Sequence, residues 1–179
     1  MDKRDLISDE YCKLNAAIYN TSKRSAGGAK HATEAEALAN KHQCKTILDY
    51  GCGQGFFKMA FEINSRIKIS EYDPAIIGKN ILPKPADLVI CTDVLEHVEP
   101  EKIDAVLKHI KRLMVKAGYF TIALCPTKEF LPDGRNAHVL LKTIDWWLLK
   151  IIHHGFLISD TKIIIKKQEI KELRVWMIL

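Results

Sequence analysis

The sequence has no apolar run long enough to cross a bilayer; its most hydrophobic stretch, WWLLKII, is short and interrupted by charge, so a membrane span is excluded. The opening MDKRDLISDE contains nothing like the apolar core of a secretory signal, so a reducing cytosol is the expected compartment. Cysteine is sparse and scattered. Cys12, Cys44, Cys52, Cys91 and Cys125 form no C-x-x-C pair, which suggests neither a disulfide framework nor a zinc site, and no metal is expected. Blocks of like charge, internal repeats and low-complexity segments are absent too. The formal charge of +5 is spread over scattered lysines, which describes a mildly basic protein rather than a nucleic-acid-binding stripe. What is there is a chain of 179 residues, 47% hydrophobic and 27% charged, enough for one compact domain with a full core.

Residues 1–45 differ from the rest. They carry a short helical pattern (Leu6, Tyr11, Leu14, Ile18), a small-residue loop NTSKRSAGGAK, and an alanine-rich helix from about His31 to Lys41. From Thr46 the pattern becomes strand, glycine turn, helix (FFKMAFEI) and strand (RIKISEY), the start of a βαβ unit with parallel strands. ADLVICT is a near-continuous apolar run, as expected of a strand covered on both faces. A helix is predicted from about Glu99 to Val115, stopped by Lys116-Ala117-Gly118, then a strand YFTIALC, a long loop PTKEFLPDGRNAHVLL, and a helix from an N-cap at Thr143 to Gly155. FLISDTKIII and LRVWMIL read as two final strands, most simply antiparallel. The expected fold is α/β: a Rossmann-like open, mostly parallel sheet with helices on both faces, with ligands at the carboxyl ends of its strands. The division predicted is a helical lid segment, 1–45, on a core, 46–179.

The stretch TILDYGCGQGFF holds the chemistry. Gly51, Gly53 and Gly55 give G-x-G-x-G, but Phe56 stands where the third glycine of a dinucleotide fingerprint belongs, and no G-K-[ST] follows to make a phosphate loop. Asp49 beside the loop would repel a pyrophosphate and attract an ammonium. The expected guest is a cationic nucleoside.

LDYGCGQG, the acidic strand end SEYDP and ADLVICTDVLEHV, in that order, resemble the class I S-adenosylmethionine-dependent methyltransferases, in particular the quinone-biosynthesis-type branch that acts on small molecules. The likeness runs from about Thr46 to Phe156. It implies S-adenosylmethionine as cofactor, with Gly51, Cys52, Gly53 and Gly55 beneath its methionine and ribose parts and Asp49 facing its amino group. Glu71 would take the ribose hydroxyls, with Asp73 in reserve. Only PAIIGKNILPKP separates the second strand from ADLVICT, so the strand and adenine-binding acid that the family places there are expected to be missing between residues 73 and 86. Cys91, Thr92 and Asp93 are then the candidates to line that pocket.

The resemblance also assigns the acceptor side. His138, in GRNAHVLL, would be the base or substrate ligand, with a loop-anchoring hydrogen bond as the alternative, and Asp93 its companion. His97, at the start of a helix, His153 and His154 read as structural. Of the adjacent Trp146 and Trp147 one belongs in the core and the other lines the acceptor pocket; Arg135 faces an anionic acceptor or sits in a solvated turn. A small-molecule acceptor is favoured. RNA or nucleotide methylation is the rival, kept open by Cys125, although neither an N-P-P-Y motif nor the Pro-Cys order of DNA cytosine enzymes occurs. A catalytically silent cofactor-binding or partner-binding protein is a third reading. Residues 1–30, with Tyr11 and Tyr19, and the loop bearing Phe130 and His138 are expected to close as a lid.

Overall fold

The computed structural model describes residues 2–21, 27–61 and 66–178. Part of the predicted loop, 22–26, and the end of the helix predicted from FFKMAFEI, 62–63, lie outside them. Strands β1 (Thr46–Tyr50), β2 (Lys68–Tyr72), β3 (Ala86–Thr92), β4 (Met114–Ala123), β5 (Leu157–Lys166) and β6 (Glu169–Ile178) form one sheet in the order β2-β1-β3-β4-β6-β5. β2, β1, β3 and β4 run parallel; β6 is antiparallel to both β4 and β5. The last two strands form a hairpin. Its turn residues, Lys167 and Gln168, have φ of 52° and 62°, the left-handed pair that matches strand twist.

Alternation along the strands sends residues to opposite layers. Leu48, Val89, Cys91 and Phe120 pack with α5 (Ile103–Leu113) and α6 (Ile144–His153) on one face. Ile47, Leu88, Ile90 and Tyr119 pack with α3 (Ala32–Lys41) and α4 (Phe56–Phe61) on the other. α5 shows what holds a helix here: Lys102 at its N-cap makes no side-chain cap, a loss of about 1 kcal/mol. Five buried aliphatic residues, Ile103, Val106, Leu107, Ile110 and Leu113, outweigh that at about 1.5–3 kcal/mol each. α6 has its predicted cap, with Thr143 Oγ1 accepting from the Trp146 N–H.

Two segments need separate mention. Between Tyr72 and Ala86 the described chain makes turns and no strand, as its length and prolines require, and β2 is left as an edge. The predicted helix over Glu99–Val115 is shorter than expected, and Lys116-Ala117-Gly118 is not its stop. Those residues belong to β4, where Ala117 opposes Leu88 and Ile178, and Gly118 opposes Val89 and Met177. A Cβ at Gly118 would stand 2.6 Å from Met114 Sδ, so this glycine serves packing inside a strand rather than a helix end. α5 therefore passes into β4 at Leu113–Met114 with no loop. At the chain's start, α1 (Lys3–Leu6) and α2 (Asp9–Thr21) lie against the carboxyl end of β3: Ser8 donates to Glu99, Oγ to Oε1 at 2.6 Å, and Tyr11 Oη to the His97 carbonyl at 2.7 Å.

Candidate active site

The carboxyl ends of β1, β2 and β3 meet at one edge of the sheet, and the glycine loop crosses it. Gly51, Gly53 and Gly55 all have left-handed φ, 78°, 52° and 90°. Two are also sterically required. A Cβ on Gly51 would stand 2.5 Å from a Val94 methyl, and one on Gly55 would stand 2.3 Å from Glu71 Oε1. Gly53 is different: a Cβ there would meet only Tyr19, at 3.5 Å, and its N–H donates to Asp73 Oδ2 at 3.1 Å.

Cavities open on both sides of this loop. One is mostly apolar, lined by Leu6, Ile7, Tyr11, Tyr50, Pro74 and Val94, with Asp73 at its edge. The other is acidic, lined by Asp49, Asp93, Glu96, Glu129, Glu172 and the two imidazoles of His97 and His138. Tyr19, Gly51, Asp93 and His97 line both, so a single elongated ligand can reach from one to the other.

Asp49 is only 2% exposed, its Oδ2 has no hydrogen-bond partner among the described residues, and it faces the acidic cavity. Burial, together with the charges of Glu71 and Asp73 and against that of Lys79, pushes its carboxyl up to about 8. Such a group takes up a cationic hydrogen-bond donor with gain on both sides. Asp73 is fixed: Oδ2 accepts from Gly53 N–H and Tyr19 Oη, each at 3.1 Å, and Oδ1 from Ala75 N–H at 2.9 Å. Glu71, expected on the ribose, lines neither cavity. It lies under Gly55, held by Lys79 Nζ at 2.9 Å and Lys58 Nζ at 3.8 Å, whereas the reserve candidate Asp73, itself buried, borders the apolar cavity.

At the end of β3 the three candidates separate. Cys91 is fully buried in the layer under α5 and reaches neither cavity, a correction that follows from strand alternation. Thr92 lines the acidic cavity and Asp93 both. Asp93 has φ of 56°; its Oδ1 accepts from Thr121 Oγ1 at 2.9 Å and its Oδ2 from Lys30 Nζ at 2.9 Å. Burial raises its carboxyl, but the Lys30 ammonium and the Thr121 hydroxyl more than offset this and hold it below the usual range, a poor setting for a base. Cys52 lines the acidic cavity with its thiol pushed up by burial, so it is no nucleophile.

His138 reaches the acidic cavity from the long loop, its Nδ1 2.6 Å from the Cys125 carbonyl. His97 sits in a short 3-10 turn, Leu95–His97, rather than at the start of a helix; its ring meets that of His138 at a centroid distance of 4.7 Å. Cys125 serves through its carbonyl. Trp147 is in the core, while Trp146 lines a separate surface groove with Ile163 and Ile170 and not the acidic cavity. Arg135 is in the solvated turn, paired with Asp133 at 2.6 Å. His153 and His154 lie at the end of α6, where His154 Nε2 is 2.7 Å from Asp104 Oδ1. Glu96 and Lys30 were not singled out from sequence. Glu96 was readable in principle, since it is the neighbour of His97 in DVLEHV.

A sequence profile of the family described as "Methyltransferase domain" matches residues 23–164, and the chain belongs to that family. The fold is that of the class I S-adenosylmethionine-dependent methyltransferases. Among solved structures it is similar to 1,6-didemethyltoxoflavin-N1-methyltransferase of Burkholderia thailandensis with bound 1,6-didemethyltoxoflavin and S-adenosylhomocysteine, at TM-score 0.71 and 14% identity, over 96% of this chain and 90% of that one. It is also similar to magnesium protoporphyrin IX methyltransferase of Synechocystis PCC 6803 with bound S-adenosylhomocysteine, at TM-score 0.60 and 15% identity, over 98% and 97% of the two chains. The N-methyltransferase NodS of Bradyrhizobium japonicum gives TM-score 0.63 and 9% identity, over 94% and 98%. Comparison with curated proteins finds no match.

Proposed function

We propose that the protein transfers the methyl group of S-adenosylmethionine to a small-molecule acceptor bound in the acidic cavity. The observation that carries this reading is the buried Asp49 oxygen beside the glycine loop, which has no partner among the described residues and would accept from the ammonium group of a bound ligand. Bound cofactor supplies an activated methyl group on a sulfonium. Asp49 then holds the amino group, the backbone of Gly51 and Gly53 lies under the methionine part, Asp73 with Tyr19 takes the ribose, and the apolar cavity between Pro74 and Val94 takes the adenine. This gives the adenine a site without the missing strand. His138 and His97 stand at the acceptor end; Asp93 positions Lys30 and the β3 end rather than moving a proton. Residues 1–45 act as the cover of this site and 46–179 as its core, working in the cytosol on an acceptor in the class of the quinone-type relatives. The acid-lined cavity disfavours a phosphate backbone, which argues against RNA.

Calorimetry tests the reading. S-adenosylhomocysteine should bind the purified protein, and a folded protein that binds neither it nor S-adenosylmethionine would end the proposal.

A further inference from the structure

The sheet ends in two edges of different character. β2 is five residues long, and its Ile69 and Tyr72 are buried. β5 is ten residues long and none of them is buried; Leu157 is 60% exposed, Ile163 45% and Ile165 62%. Ile163, with the exposed Ile170 of β6, also walls the surface groove beside Trp146. A long edge that carries apolar side chains beside its outward N–H and C=O groups is a template for another strand.

The order of residues along β5 says which strand that is. Asp160 and Lys162 flank Thr161 and stand opposite Trp176 and Arg174 of β6, on the α3 side of the sheet; Thr161 and Ile163 stand opposite Val175 and Leu173, on the α5 and α6 side. Neither Asp160 nor Lys162 forms an ion pair among the described residues, and Asp160 Oδ1 accepts the N–H of its neighbour Thr161 at 2.8 Å. A second β5, turned about a twofold axis through Thr161, runs antiparallel to the first. It sets its Lys162 opposite Asp160 and its Asp160 opposite Lys162, each pair on one face. Ser159 is the extra residue of a bulge, its Oγ donating to the Trp176 carbonyl at 3.1 Å, so beyond it Ile158 and Leu157 come opposite Ile163 and Ile164 of the second copy. An axis at Ile163 would instead set Lys162 against Ile164, and a parallel in-register pair would set lysine against lysine. From this we infer that the protein associates with a second copy of itself, β5 to β5 and antiparallel about Thr161, joining two six-stranded sheets into one. A lysine on an edge repels most strands; here the same strand carries the acid that answers it, so the edge disfavours other strands and accepts its own. The association does not depend on the methyltransferase reading.

Sedimentation equilibrium of the full chain, from about 1 to 200 micromolar, tests the pairing. The mass should rise with concentration to that of two chains. Asp160→Lys and Lys162→Asp should each weaken the association about tenfold or more, because the twofold axis makes each change create two like-charge pairs. The double variant, with the two charges exchanged, should return to within about threefold of the parent. Both positions are exposed, so far-UV circular dichroism of all three variants should match the parent and separate lost association from lost folding. A monomer over the whole range, an association untouched by either single change, or a double variant no tighter than the singles would overturn the proposal.

Discussion

The two cavities flanking Gly51 share a loop and little else. The apolar one takes part of its wall from α1 and α2, elements outside the sheet, which with Ile7 between them bring Leu6 and Tyr11 against the turn that follows β3. The acidic one is walled by strand ends and the turns that follow them, from Asp49 through Thr92 and Glu96 to Ala123. The difference follows from what each has to hold. A flat apolar group is gripped by any close-packed surface, so helices outside the sheet suffice. A charged group needs donors and acceptors fixed to a fraction of an ångström, and only the rigid sheet provides that.

The largest expected effect strikes the element both cavities share. Gly51→Val puts a branched side chain at φ of 78° and into Val94, and S-adenosylhomocysteine binding should become undetectable by calorimetry; binding within tenfold would mean the loop is not the floor of the site.

Next comes the acidic side alone. Asp49→Asn removes a charge-assisted contact of about 1.5–3 kcal/mol, a loss of roughly 10- to 150-fold in affinity. Its effect on stability has the opposite sign. The carboxyl sits at about 8 in the fold against an ordinary value of 3.8, so between those values the unfolded chain binds fewer protons, and the group's contribution falls as pH rises through that window. Asp49→Asn should therefore raise Tm at pH 8 relative to the parent and do so less at pH 5. Cofactor binding below pH 8 should release a proton, visible as a buffer-dependent calorimetric enthalpy that the variant lacks.

Sharper still is the pair at the end of β2. Asp73→Ala should weaken S-adenosylhomocysteine about tenfold and Glu71→Gln less than threefold, because only Asp73 borders a cavity; the reverse order would restore Glu71 as the ribose ligand. The smallest effect is Tyr19→Phe, which removes one hydrogen bond to Asp73 and should cost about two- to threefold in the same assay.

These predictions also mark where the sequence was transparent. The succession of strands, the missing strand and the acid–glycine loop were legible because each rests on local chemistry: an apolar run, a count of residues between prolines, a glycine-rich turn. Lys116-Ala117-Gly118 misled because a glycine after a helix usually ends it, and only Met114 and Met177 on either side reveal the packing role. The pairing of Glu71 was not legible, because Lys79, eight residues on, returns across the loop to it. Glu96 stands in a legible motif, but its partner was hidden. Its carboxylate is positioned by the Ala123 N–H, on a strand that no local pattern ties to DVLEHV.

The abrupt passage of α5 into β4 at Leu113–Met114 limits how this enzyme can change its acceptor over evolutionary time or in the hands of an engineer. With no connecting loop at that point, an inserted residue would shift the register of β4 against β3 and β6 together and move the Ala123 amide away from Glu96. Novelty has to enter at the other end of β4, in the stretch before Thr143 that carries His138, where length can vary while the sheet stays in place.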